Sequence, residues 1–497
     1  MPAPEPFFAI PPTGAPSRRR VLLLTHCFPP DARAGSVRWG RMSVHAAERG
    51  WGMDVVTIPP EDSRRIVGHL DESRLAGLPP DLRVFPAHDP VELPDERVLR
   101  GAIRTFSALR RAVRRSTARG AAGAAAPSVA VLPGGALPPL PDGGAATGMK
   151  GALLGVLAWQ QLRAELTWVR RARAVGEEVA DASQSSVVIS SGPPHFVHAA
   201  ASAVAQRQRI PHVMDLRDPW TLNEMAGPLA RKRYRVLAER TERHVVEQAA
   251  VIACNTEPAA AAMRARYPAA ADRVITVMNG SDDESPPPVP RDPRFLIAYA
   301  GAVYAGRSPS ELFSAVARVV RELGLTPERF GLELMGFFDP DAAAVERLAG
   351  AAGLDGFIRL HPTKPRDECA RFLASAAMLV SLPQVADMAV PSKVFEYASF
   401  DAWLLALATP HSATGMTLAG SAADVVDPRD IDGIAAAIRR RYEEWAAGVR
   451  PVAVGADGRF SRRTQATRLF DAIDAALDAA QRPRALATAD VAAGAPA

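Results

Sequence analysis

Short apolar runs that stop at a polar turn, each leading into a helical stretch, recur along this chain and narrow its fold more than any other feature. Residues 21–25, Val-Leu-Leu-Leu-Thr, have the unbroken apolar character of a strand buried on both faces, which is the mark of a parallel sheet. Residues 36–49 read as a helix ending at Gly50, and 53–58 as the next strand. Strand, helix, strand is the start of a doubly wound sheet. The alternation continues with a helix over 153–179, a strand from Val187 closing at Ser191-Gly192-Pro193-Pro194, a helix over 195–208, and within 211–220 a short strand that turns polar at its carboxyl end. A helix over about 228–250 and strands at 251–254 and 274–278 follow. After the proline run 286–290 the same logic repeats. It gives strands at 295–299, 331–335, 358–360, 378–382, 404–408 and 424–426, with helices from Pro309, over 366–376 and over 431–446, and a last helix from Phe460 to about Ala480. The expected fold is α/β, two Rossmann-like doubly wound parallel-sheet domains facing a cleft.

Length supports that division, because 497 residues exceed what one hydrophobic core usually fills. The expected parts are a first domain at 18–285, a linker at 286–292, a second domain at 293–456, and a helix at 457–480 packing back on the first domain. The Pro-rich residues 1–17 and the Ala/Pro-rich 481–497 are expected to be disordered, and the nearly uncharged Ala/Gly/Pro stretch 119–150 to be a flexible insertion. With 48% apolar and 23% charged residues, wholesale disorder and fibrous architectures are excluded. Cys27, Cys254 and Cys369 are odd in number and far apart, which argues for reduced, unpaired thiols in a cytosolic protein and against a structural zinc site. The N-terminus lacks the charged and apolar regions of a signal peptide, and no apolar run reaches the length of a membrane span, so a soluble or peripheral protein is expected.

A formal charge of +5 favours anionic ligands or lipids, and no motif supports nucleic acid. Residues 96–118 place Leu99, Ile103, Phe106, Leu109 and Val113 on one helical stripe, with arginines mostly off it. Two readings of this basic amphipathic helix stand: a surface helix packed on its own domain, or one held to anionic lipid.

Chemistry is expected beyond the carboxyl ends of the strands, where ligands bind in open parallel sheets. The segment from Gly301 through Tyr304 to Arg307 reads as a loop between strand and helix, where glycine permits close backbone approach and Arg307 can clamp a diphosphate. Pro391-Ser392-Lys393-Val394-Phe395-Glu396-Tyr397 opens a helix after a strand. Lys393 there suits a second phosphate charge and Glu396 the hydroxyls of a ribose, the alternative being a plain helix-surface salt bridge. Asp215-Leu216-Arg217-Asp218-Pro219-Trp220 packs two carboxylates, a guanidinium and an indole after a strand; a structural ion-pair corner is the competing reading. His195, at a helix start, suits an acceptor hydroxyl or the donor sugar, and His26 and Arg38 are weaker candidates of the same kind. Asp282-Asp283-Glu284 reads as a solvated loop, and no metal signature is present.

Taken in order, Thr25-His26-Cys27-Phe28-Pro29-Pro30 with Gly35 and Arg38, Ser191 to His195, Asp215 to Trp220, Asn279-Gly280, Tyr299 to Arg307 and Pro391 to Tyr397 resemble a bacterial GT-B glycosyltransferase. The likeness is to the retaining family 4 group that builds cell-surface polysaccharide, and it runs from about residue 21 to 477. It implies a hexosyltransferase-like enzyme whose second domain holds a nucleotide-diphosphate sugar through Gly301, Tyr304, Arg307, Ser392, Lys393 and Glu396, with Gly35 close to the donor phosphates. It implies catalytic roles for His195, Asp215 and Arg217, and acceptor-side roles for His26, Arg38 and Trp220. It further implies retention, no cofactor and no obligatory metal, and a glycan or lipid-linked acceptor at the cytoplasmic membrane face. One departure stands out: relatives carry a second glutamate eight residues before Glu396, where this chain has Met388, with Asp387 as a neighbouring carboxylate. An epimerase of the same fold and a non-catalytic sugar-nucleotide-binding partner are the rival readings; a nicotinamide dehydrogenase lacks its glycine fingerprint here.

Overall fold

A computed structural model describes residues 4–90, 149–222, 232–282, 286–304, 307–339, 341–382 and 388–481. The basic helix expected at 96–118, nearly all of the insertion at 119–150, the expected helix start at 228, Asp283, Glu284, Asp387 and residues 482–497 lie outside these. In chain order the elements are β1 (Phe8–Ile10), β2 (Arg19–Thr25), α1 (Ala34–Glu48), β3 (Trp51–Thr57), α2 (Pro60–Val67), β4 (Leu82–Pro86), α3 (Met149–Ser183), β5 (Val187–Gly192), α4 (Val197–Gln208), β6 (His212–Leu216), α5 (Lys232–Gln248), β7 (Val251–Cys254), α6 (Glu257–Arg266) and β8 (Val274–Thr276). They continue with β9 (Phe295–Val303), α7 (Ser310–Glu322), β10 (Phe330–Phe338), α8 (Ala342–Ala351), β11 (Ile358–Pro362), α9 (Arg366–Ser375), β12 (Met378–Ser381), α10 (Ser392–Tyr397), β13 (Trp403–Leu407), α11 (Ala413–Leu418), β14 (Asp424–Val426), α12 (Ile431–Ala446) and α13 (Arg462–Gln481).

Two sheets result. The first runs β1-β4-β3-β2-β5-β6-β7-β8 and the second β11-β10-β9-β12-β13-β14. Every ladder with a described register is parallel except β1 against β4. This is the fold of two Rossmann-like parallel-sheet domains expected from the alternation. Packing divides the chain into two compact units, Met1–Gly40 with Gly50–His212 and Asn223–Gln248, and Arg41–Arg49 with Val213–Leu222 and Ala249–Ala497.

The alternation of side chains along β9 shows why the second sheet must be covered on both faces. Phe295, Ile297 and Tyr299 join one apolar cluster with Leu332, Leu334, Phe313 and Val316, while Leu296, Ala298 and Ala300 join another with Leu379, Phe395 and Leu404. In the first sheet Val21 to Leu24 are each fully buried, as their unbroken apolar run requires. One buried exception is a polar network. Arg20 donates to Asp54 at 3.0 and 2.9 Å and to Asp81 at 2.6 Å, and Asp54 also receives Arg83 at 2.6 and 2.9 Å.

The expectation of a disordered 1–17 is corrected at Phe8–Ile10, which pairs antiparallel with β4 in the register Phe8↔Val84 and Ile10↔Leu82. The signal was missed because three residues carry no readable periodicity, and the edge of a sheet supplies the hydrogen bonds that a free segment lacks. The loop expected from Gly301 is also corrected: β9 continues to Val303. Strand β4 and helices α2, α6, α8 and α11 had no counterpart in the sequence reading. Helix α13 donates from Arg463 to Glu48 and from Arg468 to the Thr276 carbonyl, and its Gln465 accepts from the Met278 amide at 3.0 Å.

Candidate functional site

The carboxyl end of β9 is built by its neighbours. In the parallel ladder Gly336 of β10 lies beside Gly301, and with φ at 145° a side chain there would fall on the Gly301 carbonyl oxygen. Only glycine lets the two strand ends approach this closely. On the other face Tyr397 of α10 donates its hydroxyl to the Ala300 carbonyl at 3.1 Å and accepts from the Ala300 amide at 2.8 Å, pinning the Ser392-Lys393 helix to the same strand. The Tyr299 hydroxyl donates to the Ala302 carbonyl at 2.9 Å.

Beyond the strand, Tyr304 and Arg307 close a tight bridge. The Arg307 amide donates to the Tyr304 carbonyl at 2.7 Å, and the guanidinium lies 5.4 Å from the centre of the Tyr304 ring. Its Nε is buried without a hydrogen-bond partner among the described residues. Burial pushes the Tyr299 phenol up, while Arg307 and then Lys393 pull it the other way, so both cations converge on one hydroxyl. Lys393 donates to Glu396 at 3.1 Å, with about a third of each side chain exposed (37% and 35%). Burial alone would lower the Lys393 ammonium, but Glu396 and Cys369 hold it above its ordinary value. Burial raises the Cys369 thiol despite Lys393. Helix α10 is only six residues long and has no side-chain cap, so Lys393 rather than a helix dipole carries the positive charge there. Ser392 is exposed at its start. Gly301, Tyr304, Arg307, Lys393 and Glu396 are thus gathered about Tyr299.

Asp215, Arg217 and Trp220 belong to the same compact unit; Arg217 and Trp220 follow β6 as expected, and Asp215 does not. Asp215 is not beyond β6 but inside it, fully buried and in register with Ala253. Arg217 is half-buried, its carbonyl accepting from the Asn255 side chain at 2.8 Å, and Trp220 keeps only 2% of its surface. Thr256 caps α6 by accepting from the Ala259 amide and donates its hydroxyl to the Met388 carbonyl at 2.7 Å. Asp282, expected to be solvated, instead receives Arg462 at 2.8 Å, Arg366 at 3.3 Å and Arg41 at 3.4 Å. Burial alone would raise its carboxyl, and the three guanidiniums hold it below the usual range. Only the fold assembles those arginines, which lie far apart in sequence.

In the other unit, Gly35 and Arg38 lie buried on the first turns of α1. Gly192 ends β5; a Cβ there would meet His195 Nδ1 at 2.7 Å and His198 Nε2 at 2.8 Å, so the glycine makes room for two imidazoles. Ser190 Oγ lies 2.8 Å from both His198 Nδ1 and His212 Nε2, and burial pushes His212 down to about 3, keeping it neutral. His26, just past β2, sits 2.8 Å from Asp89 through Nε2, with its ring 4.8 Å from that of Trp168 and edge-on to it. Burial, with help from Arg33, holds His26 below its ordinary value against the pull of Asp89. Asp89, Trp168, Glu165, Tyr234, His198 and His212 were missed. Gln161, Glu165 and Trp168 do follow a helical spacing, but nothing in the chain joins them to residues 26 and 89.

No family model and no curated protein sequence matches this chain. Solved structures do match in fold. Sucrose-phosphate synthase from Thermosynechococcus elongatus aligns over 93% of this chain and 100% of its own, at 14% identity and TM-score 0.56. Anabaena HepE in complex with UDP aligns over 92% and 100%, at 11% identity and TM-score 0.55. The lipopolysaccharide outer core galactosyltransferase WaaB aligns over 92% and 99%, at 9% identity and TM-score 0.51. At these identities the likeness establishes the two-domain GT-B fold.

Proposed function

We propose that the chain is a glycosyltransferase that moves a sugar from a nucleotide-diphosphate donor to a glycan or lipid-linked acceptor. The observation that carries this reading is the convergence of Arg307 and Lys393 on Tyr299 at the carboxyl end of β9, with a buried Arg307 Nε awaiting an acceptor. A diphosphate supplies such an acceptor, and Glu396, one turn from Lys393, suits ribose hydroxyls. Two basic side chains can take up the charge of the leaving diphosphate, so the reaction proceeds without an obligatory metal and, as in the retaining group the motifs resemble, with retention. HepE, a protein of like fold, was crystallised with UDP, which supports a uridine donor as the first to try. In this reading Ser392 borders the donor phosphates and Asp215 and Arg217, in the same unit, serve the reacting sugar, while His26 and Arg38 of the other unit serve the acceptor.

The proposed setting is cell-surface polysaccharide synthesis at the cytoplasmic membrane face, through the basic stretch 96–118. Among the described residues no helix is long and apolar enough to cross a membrane. Melting curves against a panel of nucleotide sugars test the donor half, since a ligand at 100 times its Kd stabilises by about 2.7 kcal/mol; a panel that leaves the melting temperature unmoved refutes it. Met388, standing where the resembled group has a carboxylate, favours one second reading, a non-catalytic sugar-nucleotide-binding partner. Donor binding with no nucleotide release under any acceptor would select it.

A further inference from the structure

A second polar cluster lies in the other unit, at the carboxyl ends of β2 and β4. His26 Nε2 donates to Asp89, which leaves Nδ1 as an acceptor with no partner among the described residues. Trp168 fixes this pair by packing on His26 and donating its indole N–H to the Ala87 carbonyl at 3.1 Å. One turn earlier on α3, the half-buried Glu165 accepts from Tyr234 of α5 at 3.2 Å and from Gln161 at 3.3 Å. Burial pushes Glu165 up to about 7, against its two hydrogen bonds and with a contribution from Asp89, so the two carboxyls are within electrostatic reach. His26, Asp89, Glu165 and Tyr234 all keep part of their surface open.

The surrounding cations are committed elsewhere. Arg33 closes on Asp31 at 2.6 Å and reaches only the His26 carbonyl, Arg65 pairs with Asp62 at 3.2 Å, and Arg171 donates to the His88 carbonyl at 2.9 Å. Asp62 also receives the Asp89 amide at 3.0 Å and lies 3.1 Å from His88. Among these described residues, a phosphate or carboxylate would face two carboxyls and guanidiniums that already have partners. A hydroxyl would find acceptors in His26 Nδ1, in Glu165 and in the Tyr234 oxygen, whose own proton is given to Glu165.

We propose that His26, Asp89, Glu165 and Tyr234 form the acceptor site, that it takes a neutral, hydroxyl-rich group such as the terminal sugar of a glycan, and that the Glu165 carboxylate receives a hydroxyl of that sugar. This rests on the transferase reading. The test measures binding of octyl β-D-glucoside and of octyl phosphate by saturation-transfer NMR from pH 6 to 8, and nucleotide-sugar melting shifts alongside, for the wild type, Glu165→Gln and Tyr234→Phe. The wild type should bind the glucoside, more tightly as pH rises and Glu165 ionises. Glu165→Gln should bind it about tenfold more weakly with no pH dependence, Tyr234→Phe should weaken it less, and both should keep the nucleotide shift. Preference for octyl phosphate, or a Glu165→Gln protein that binds the glucoside as the wild type does across the range, would overturn the site while leaving the transferase reading intact. A wild type that no nucleotide sugar stabilises would sink that reading and the acceptor role with it.

Discussion

Arg307 and Lys393 invite a graded test because the structure gives them unequal surroundings. Arg307 has a buried Nε with no hydrogen-bond partner among the described residues and a guanidinium braced by Tyr304, so a bound diphosphate would complete it. A hydrogen bond to a charged group contributes about 1.5–3 kcal/mol, and the buried setting favours the upper part of that range. Arg307→Ala should therefore weaken nucleotide-sugar binding by about 2–3 kcal/mol, about 30- to 150-fold in Kd. Lys393 is already paired with Glu396 and about a third exposed (37%), so solvent screens its charge. Lys393→Ala should cost about 1 kcal/mol, about fivefold. Arg307→Lys keeps the charge but loses the planar fork and should fall between the two. Calorimetric titration with the nucleotide sugar that most raises the melting temperature gives all three values, with circular dichroism to verify the fold. The reasoning fails if Lys393→Ala loses as much as Arg307→Ala, or if Arg307→Ala binds like the wild type.

Other perturbations bear on the scaffold. Asp54→Asn strips a buried carboxylate from Arg20 and Arg83; because Arg20 keeps Asp81 and Arg83 is partly exposed, the loss should lie near about 3 kcal/mol in urea unfolding, the low end for breaking a buried pair. Burial alone would raise Asp54, but the two arginines hold its carboxyl below the usual value, as happens at Asp282. A lowered carboxyl contributes stability that is complete above its unfolded value of 3.8 and is lost as pH falls through the lower folded value. Acid unfolding below pH 3.8 should therefore be shallower in Asp54→Asn than in the wild type, and an identical acid limb would contradict this. Gly336→Ala should destabilise by about 3 kcal/mol or more, since the methyl meets the Gly301 carbonyl at a φ that L residues rarely adopt; an unchanged melting temperature would show that the β9–β10 ends relax.

Much of the architecture could be read directly, because buried parallel strands announce themselves as unbroken apolar runs. Residues 251–254 and 431–446 coincide with β7 and α12, and most other boundaries move by a few residues. Phe8–Ile10 and α2 escaped because three apolar residues or eight mostly polar ones carry too little periodicity. The residues proposed for the donor side were legible since Arg307 and Lys393 each follow a strand in their own stretch. Glu165, Asp89 and Tyr234 were not, because their meaning comes from 69 residues of separation between Glu165 and Tyr234 and 63 between His26 and Asp89. Asp282 was misread for the same reason.

By itself, then, the order of residues determined most of the strands and helices, that two parallel sheets form, and which stretches carry cations, since periodicity and local chemistry act over a few residues. The tertiary structure decided which side chains share a site and in what state of charge. Arg307 and Lys393 bear on Tyr299, burial with a contribution from Asp89 pushes Glu165 up to about 7, and Asp282 sits among three guanidiniums, because burial and Coulomb interaction act through space between groups the chain keeps far apart.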